Sequence, residues 1–97
     1  MILIPNKDRG SRYERIAKKE LERQGYMVVR SGSSLGVFDL WAYNQNELKL
    51  IQCKATKSNV KFNDVREELK KIKVPAFCSK ELWIWIDRKG WKKEIII

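Results

Sequence analysis

The stretch Phe38-Asp39-Leu40-Trp41-Ala42-Tyr43-Asn44-Gln45-Asn46-Glu47-Leu48-Lys49-Leu50-Ile51-Gln52-Cys53-Lys54 reads as two strands joined by a tight reversal. Apolar and β-branched or aromatic runs at 37–43 and 48–55 flank the polar tetrad Asn44–Glu47, which is the pattern of a hairpin. With Gln45 and Asn46 as the central turn residues, the numbers of opposed residues sum to 91, so Asp39 faces Gln52. Directly opposed residues have Cβ atoms roughly 4.5–5.5 Å apart, near enough to share one ion. Alternation puts Gln52 and Lys54 on the face that also carries Trp41, Tyr43, Leu48 and Leu50, and Phe38, Leu40, Ala42, Ile51, Cys53 and Ala55 on the other. Both faces are largely apolar, as in a sheet covered by helices on two sides.

Upstream of the hairpin, residues from about Arg12 to Gln24 predict an amphipathic helix. Tyr13, Ile16, Ala17, Leu21 and Gln24 lie along one face, and Arg15, Lys19, Glu22 and Arg23 along the other. Ser11 followed three residues later by Glu14 has the form of a capping box at its start, and Gly25 ends it. Tyr26–Arg30 has strand character, and the loop Ser31-Gly32-Ser33-Ser34-Leu35-Gly36 brings several hydroxyls toward the hairpin.

Downstream, 56–62 is a polar connection, and a second amphipathic helix is expected from Asp64 to about Lys73, closed by Pro75, with Val65, Leu69 and Ile72 inward. Leu82–Asp87 and Trp91–Ile97 predict two terminal strands around the turn Arg88-Lys89-Gly90. Trp83, Trp85, Trp91 and Ile95–Ile97 are expected to complete the core, with some of this surface left for a homodimer interface or, as a weaker option, for stacking on bases.

Ninety-seven residues, 43% hydrophobic and 34% charged, predict one globular domain spanning 1–97. Lysine and arginine outnumber acidic residues 21 to 12, a net charge of +9 that favours a polyanionic partner. Histidine is absent, which excludes a histidine base and every zinc pattern that needs one. Cys53 and Cys78 form no metal-ligand pattern and are expected to be reduced and mostly buried. Met1–Pro5 is apolar but too short for a signal sequence or a membrane span, so a cytoplasmic location without membrane contact is the expectation.

A phosphodiester hydrolase must hold a divalent cation, orient a water and offset charge on the transferring phosphoryl group. Asp39 offers a hard anionic oxygen, Gln52 a neutral amide oxygen and Cys53 a backbone carbonyl, while Lys54 stands where it can orient or help deprotonate the water. The plainer alternative is an ordinary Asp39–Lys54 ion pair with Gln52 as a polar spectator. Glu14 likewise has two readings. One is a cap or an i,i+4 partner of Lys18; the other is a ligand, or a support for one, pointing over the sheet toward Asp39.

Four segments carry a resemblance to a known family. They are Gly10-Ser11-Arg12-Tyr13-Glu14-Arg15, the run from Gly25 to Ser33, Phe38-Asp39-Leu40-Trp41-Ala42, and Ile51-Gln52-Cys53-Lys54. Together they resemble the PD-(D/E)XK nuclease superfamily, and within it most closely the archaeal-type Holliday junction resolvases. The resemblance implies an α/β, restriction-endonuclease-like core: a central mixed β-sheet flanked by helices, in the order α-β-β-β-α-β-β. It implies a catalytic centre of Glu14, Asp39, Gln52 and Lys54, with Ser31 or Ser33 assisting near the scissile phosphate. It further implies a homodimer that places two centres on opposite strands of a four-way junction.

Two residues depart from the family pattern: Phe38 stands where proline is usual, and Gln52 where an acid is usual. Glutamine recurs at this position in branches similar to Mrr-type restriction nucleases, and it removes one negative charge from the ion site. Weaker metal binding, or heavier reliance on Glu14 and substrate phosphate, is the expected result. The expected function is therefore a magnesium-dependent (alternatively manganese-dependent) endonuclease selective for branched DNA. The alternatives are another nuclease of the superfamily, acting in phage DNA processing or restriction, and a noncatalytic DNA-binding domain. Arg12, Arg15, Lys18, Lys19, Arg30, Lys57 and Lys61 are the expected phosphate contacts; the plainer reading is that several serve only solubility.

Overall fold

The computed structural model describes residues 5–30, 37–57 and 61–97, with side chains from Arg12 onward. The elements follow the order α1 (Pro5–Arg23), β1 (Met27–Arg30), β2 (Leu40–Tyr43), β3 (Leu48–Thr56), α2 (Asn63–Lys71), β4 (Cys78–Ile86) and β5 (Gly90–Ile96). The strands form one sheet in sequence order, antiparallel except for β3 and β4, which run parallel. A parallel pair needs a long crossover, and α2 provides it. The expected order of helices and strands is the observed one.

The hairpin register is the predicted one: Leu40 pairs with Ile51, Trp41 with Leu50 and Tyr43 with Leu48. Asn44 fixes it. Its side-chain oxygen accepts the amides of Asn46 at 2.8 Å and Glu47 at 3.0 Å, closing the reversal without help from a glycine. The first helix ends as expected at Gly25, whose φ of 99° lets Gly25 N–H reach the Glu22 carbonyl and Tyr26 N–H the Leu21 carbonyl.

The two faces of the sheet bury separate cores. Under α1 lie Ala17, Leu21, Leu40, Ala42, Ile51 and Trp83; under α2 lie Phe38, Leu69, Leu82, Ile84 and Ile96. Lysine 80, only 7% exposed, ties α2 to the sheet by donating to the carbonyls of Leu69 and Ile72, each at 2.7 Å, and Lys70 at 3.3 Å. These oxygens sit at the helix C-terminus, where a cation is favoured.

Several local expectations are corrected. Helix α1 begins at Pro5, so Ser11 lies within the helix and not at its start. Strand β2 begins at Leu40, and Phe38, ahead of the alternating segment, turns to the α2 side instead of joining Leu40 and Ala42. Helix α2 stops at Lys71, and Ile72 is already extended with ψ of 122°, so Pro75 follows the helix end at a distance. Strand β4 starts four residues earlier than expected, at Cys78, because parallel pairing with β3 runs from Leu48 onward. Trp83 and Ile96 are buried, but Ile95 and Ile97 are 69% and 99% exposed and lie outside the core. Both cysteines are free and partly buried.

Candidate active site

Where β2 and β3 open toward the segment preceding Leu40, the polar residues of the hairpin meet. Asp39 N–H donates to the Ile51 carbonyl at 2.8 Å, one residue out of the register in which Leu40 pairs with Ile51, so the regular pairing ends at Leu40. The Asp39 carboxylate then lies against β3: its Oδ2 accepts from Cys53 N–H at 2.9 Å and from Gln52 Nε2 at 3.1 Å. Gln52 Nε2 also reaches the Cys53 carbonyl at 3.4 Å. One carboxylate oxygen, one side-chain amide and one backbone carbonyl thus converge, although Asp39 is not the ladder partner of Gln52.

Burial pushes the Asp39 carboxyl above its ordinary value; the Cys53 amide opposes this, the Glu14 carboxylate adds to it, and Lys54 and Arg30 oppose it. The direction is that of a carboxylate partly removed from water and short of positive charge. Among the described residues Lys54 makes no ion pair with Asp39 and acts on it through its field. Burial raises the Cys53 thiol far above its usual range, so the sulfur is an inert thiol and only its backbone carbonyl is a candidate ligand.

Glu14 comes from α1 over the sheet, close enough for its charge to act on Asp39. Its partner is Arg30 of β1, whose Nη2 lies 3.2 Å and Nε 3.4 Å from Oε1. The expected i,i+4 bond to Lys18 is not made: Lys18 pairs with Glu22 at 3.0 Å. Arg30, expected on phosphate, thus also holds Glu14 near the centre. Ser31 and Ser33 lie outside the described residues.

The donor set fits a hard cation. Asp39, the Cys53 carbonyl and, after a half-turn of its amide, Gln52 Oε1 are all oxygen ligands, and water would complete a magnesium-type shell. Among the described residues no three His, Cys, Asp or Glu groups cluster as a metal site. Gln52 in place of an acid leaves the centre with Asp39 as its directly placed carboxylate.

A cavity of about 620 Å³ adjoins this centre, lined by Arg12, Tyr13, Lys54, Thr56, Lys57 and Asp87 among others. Arg12 and Lys57 line the same cavity as the candidate catalytic lysine. Arg15 and Lys19 are exposed on the outer face of α1, and Lys61 lines a different cavity with Arg66 and Lys92. Asp87 was not legible as part of the cleft: it follows β4, and the parallel β3–β4 pairing sets it beside Thr56, whose carbonyl accepts from its N–H at 3.0 Å.

A mixed sheet with an acidic residue before β2, a Gln-x-Lys triplet on β3 and a glutamate on the preceding helix defines a PD-(D/E)XK-type nuclease fold. Residues 5–92 match the family model described as archaeal Holliday junction resolvase, and the chain belongs to that family. Over 64 residues it is 41% identical to the crossover junction endodeoxyribonuclease Hjc of Methanocaldococcus jannaschii, a match covering 66% of this chain and 47% of that protein. The chain thus spans about half the length of this curated relative. The crystal structure of Archaeoglobus fulgidus Hjc, a Holliday junction resolvase from an archaeal hyperthermophile, has the same fold. It superimposes with a TM-score of 0.74 at 21% identity, over 91% of this chain and 73% of the other. The resolvase family is in general one of metal-dependent nucleases. No described helix is long and apolar enough to cross a membrane.

Proposed function

We propose that residues 1–97 act as one nuclease domain that hydrolyses phosphodiester bonds at four-way DNA junctions. The observation that carries this reading is the convergence of Asp39, the Gln52 amide and the Cys53 carbonyl beside Lys54, within a chain of the resolvase family. Magnesium, or manganese in its place, would be held by Asp39, Gln52 Oε1 and the Cys53 carbonyl, and would supply positive charge against the phosphoryl oxygens. Lys54 orients the attacking water and offsets charge on the phosphoryl group. Glu14, kept in place by Arg30, supports the ion site from α1. Ser31 or Ser33 helps position the scissile phosphate, and Arg12, Lys57 and the basic face of α1 hold the flanking backbone.

A four-way junction presents two equivalent strands, and a two-fold pair of subunits matches that symmetry. The α2-side surface of β1 and β2, which α2 leaves uncovered, carries Met27, Val29, Trp41 and Tyr43 at 41–62% exposure, with Phe77 at 64% nearby. An apolar surface of this kind next to the centre supports a homodimer, with a second copy of the chain seated there.

The test is incubation of the protein with magnesium and matched four-way, forked, linear duplex and single-stranded DNA, alongside Asp39→Asn. Paired symmetric cuts in the four-way substrate, absent from the variant, are expected. Binding without cleavage in magnesium and in manganese would instead assign the chain as a DNA-binding domain that has lost its metal chemistry.

A further inference from the structure

The α2 side of the sheet carries a second basic site away from the catalytic cleft. Lys54 of β3 pairs with Ile84 of β4, and Ile84 pairs with Lys92 of β5, so the two lysines occupy one row on one face. Neighbouring strands are roughly 4.8 Å apart, which separates their Cα atoms by about 10 Å. Lys92 lines a cavity of about 530 Å³ together with Lys61, Asn63, Arg66, Ile84 and Glu94. Its cations outnumber its carboxylate by three to one.

The cavity is built, not merely lined by surface lysines. Arg66 Nη1 donates to Asn63 Oδ1 at 2.9 Å and Nη2 to Glu94 Oε2 at 2.6 Å, which clamps the guanidinium between α2 and β5. Glu94 is thereby committed to Arg66. The Arg66 Nε–H is buried with no acceptor among the described residues, an unpaired donor on the wall of the same cavity. Lys61 and Lys92 are exposed and have no carboxylate partner among the described residues. Two uncommitted ammonium groups over a fixed guanidinium suit an anion with several oxygens.

We propose that this cavity binds a backbone phosphate of the DNA strand being cut, displaced from the scissile phosphate along the line from Lys54 to Lys92. The proposal rests on the nuclease reading for its ligand, but its test reads binding alone.

The experiment compares the wild-type chain, Lys92→Gln, the double variant Lys61→Gln/Lys92→Gln and the control Lys73→Gln in DNA binding without divalent metal across a salt series. The control removes one exposed charge beyond the C-terminal end of α2, whereas the cavity takes Asn63 and Arg66 from the first turn of that helix. The double variant is expected to bind roughly fivefold to tenfold more weakly near 0.1 M salt and to lose about one from the slope of log affinity against log salt. The control is expected to stay within about twofold of wild type. An unchanged slope in the double variant, or an equal loss in the control, would overturn the site. Wild-type cleavage of the junction is measured separately, so absence of cleavage with the slope effect intact would refute the nuclease reading and leave the phosphate site standing.

Discussion

Gln52→Glu tests whether the side chains at 39 and 52 share an ion. Gln52 is 9% exposed, and its amide donates to Asp39 Oδ2 at 3.1 Å. The substitution removes a hydrogen bond to a charged group, worth about 1.5–3 kcal/mol, and sets a second carboxylate against the first. At about 4 Å and an effective dielectric near 20, that repulsion is about 4 kcal/mol. A proton shared between the carboxyls limits the loss. Holding it at pH 7, about 2.7 units above the ordinary glutamate value of about 4.3, costs about 3.7 kcal/mol, and the protonated group can donate to Asp39 as the amide did. Without metal, the variant is therefore expected to be up to about 4 kcal/mol less stable than wild type at pH 7.

The sign follows from proton uptake. The folded pair binds a proton more tightly than the unfolded chain, so the variant loses stability as pH rises from about 4.3 and recovers it on acidification. Magnesium is expected to reverse the order, since two carboxylates facing one cation bind it more strongly than a carboxylate and an amide. Urea unfolding in chelator and in magnesium, at pH 5 and pH 8, measures all of this. A variant as stable as wild type in chelator at pH 8, with no larger gain from magnesium, would refute a shared site.

Three other outcomes are expected. Asp39→Asn keeps an oxygen for the Cys53 and Gln52 donors and removes a carboxyl whose value burial raises. The stability lost by the wild type as pH rises above the ordinary aspartate range through that raised value should therefore be absent from the variant's pH–stability profile, together with cleavage. Lys80→Met strips α2 of its buried cap and should cost about 3–5 kcal/mol, by analogy with breaking a buried charged contact, read as a fall in the urea midpoint at unchanged slope. Trp41→Glu places a charge on the uncovered face of β2 and should convert a dimer to a monomer by light scattering while the monomer keeps its circular dichroism; an unchanged mass would remove that face from the interface.

The hairpin was legible because it is local. Alternation has a period of two, and Asn44 sets the reversal through bonds to residues two and three positions on, so the 40–43 with 48–51 register follows from residue order alone, while Asp39 reaches Gln52 through its side chain. The Glu14–Arg30 contact was not legible, since a helix residue's near neighbours, such as Lys18, offer equally good partners until packing brings β1 beneath α1. Helix ends misled for the same kind of reason. Ser11 has the chemistry of a cap, yet the backbone runs helically through it from Pro5, and a local motif does not decide where a helix begins.

By itself the sequence determined the order of elements and, from Leu40 onward, the two apolar faces of the hairpin, both of which depend on short-range periodicity and turn chemistry. Tertiary structure alone decided that Arg30 holds Glu14, that Lys80 closes α2, and that Lys54 and Lys92 share a row with Ile84 between them. These contacts join residues brought together by the parallel β3–β4 pairing and by the packing of α1 and α2, where no periodicity in the chain announces the partner.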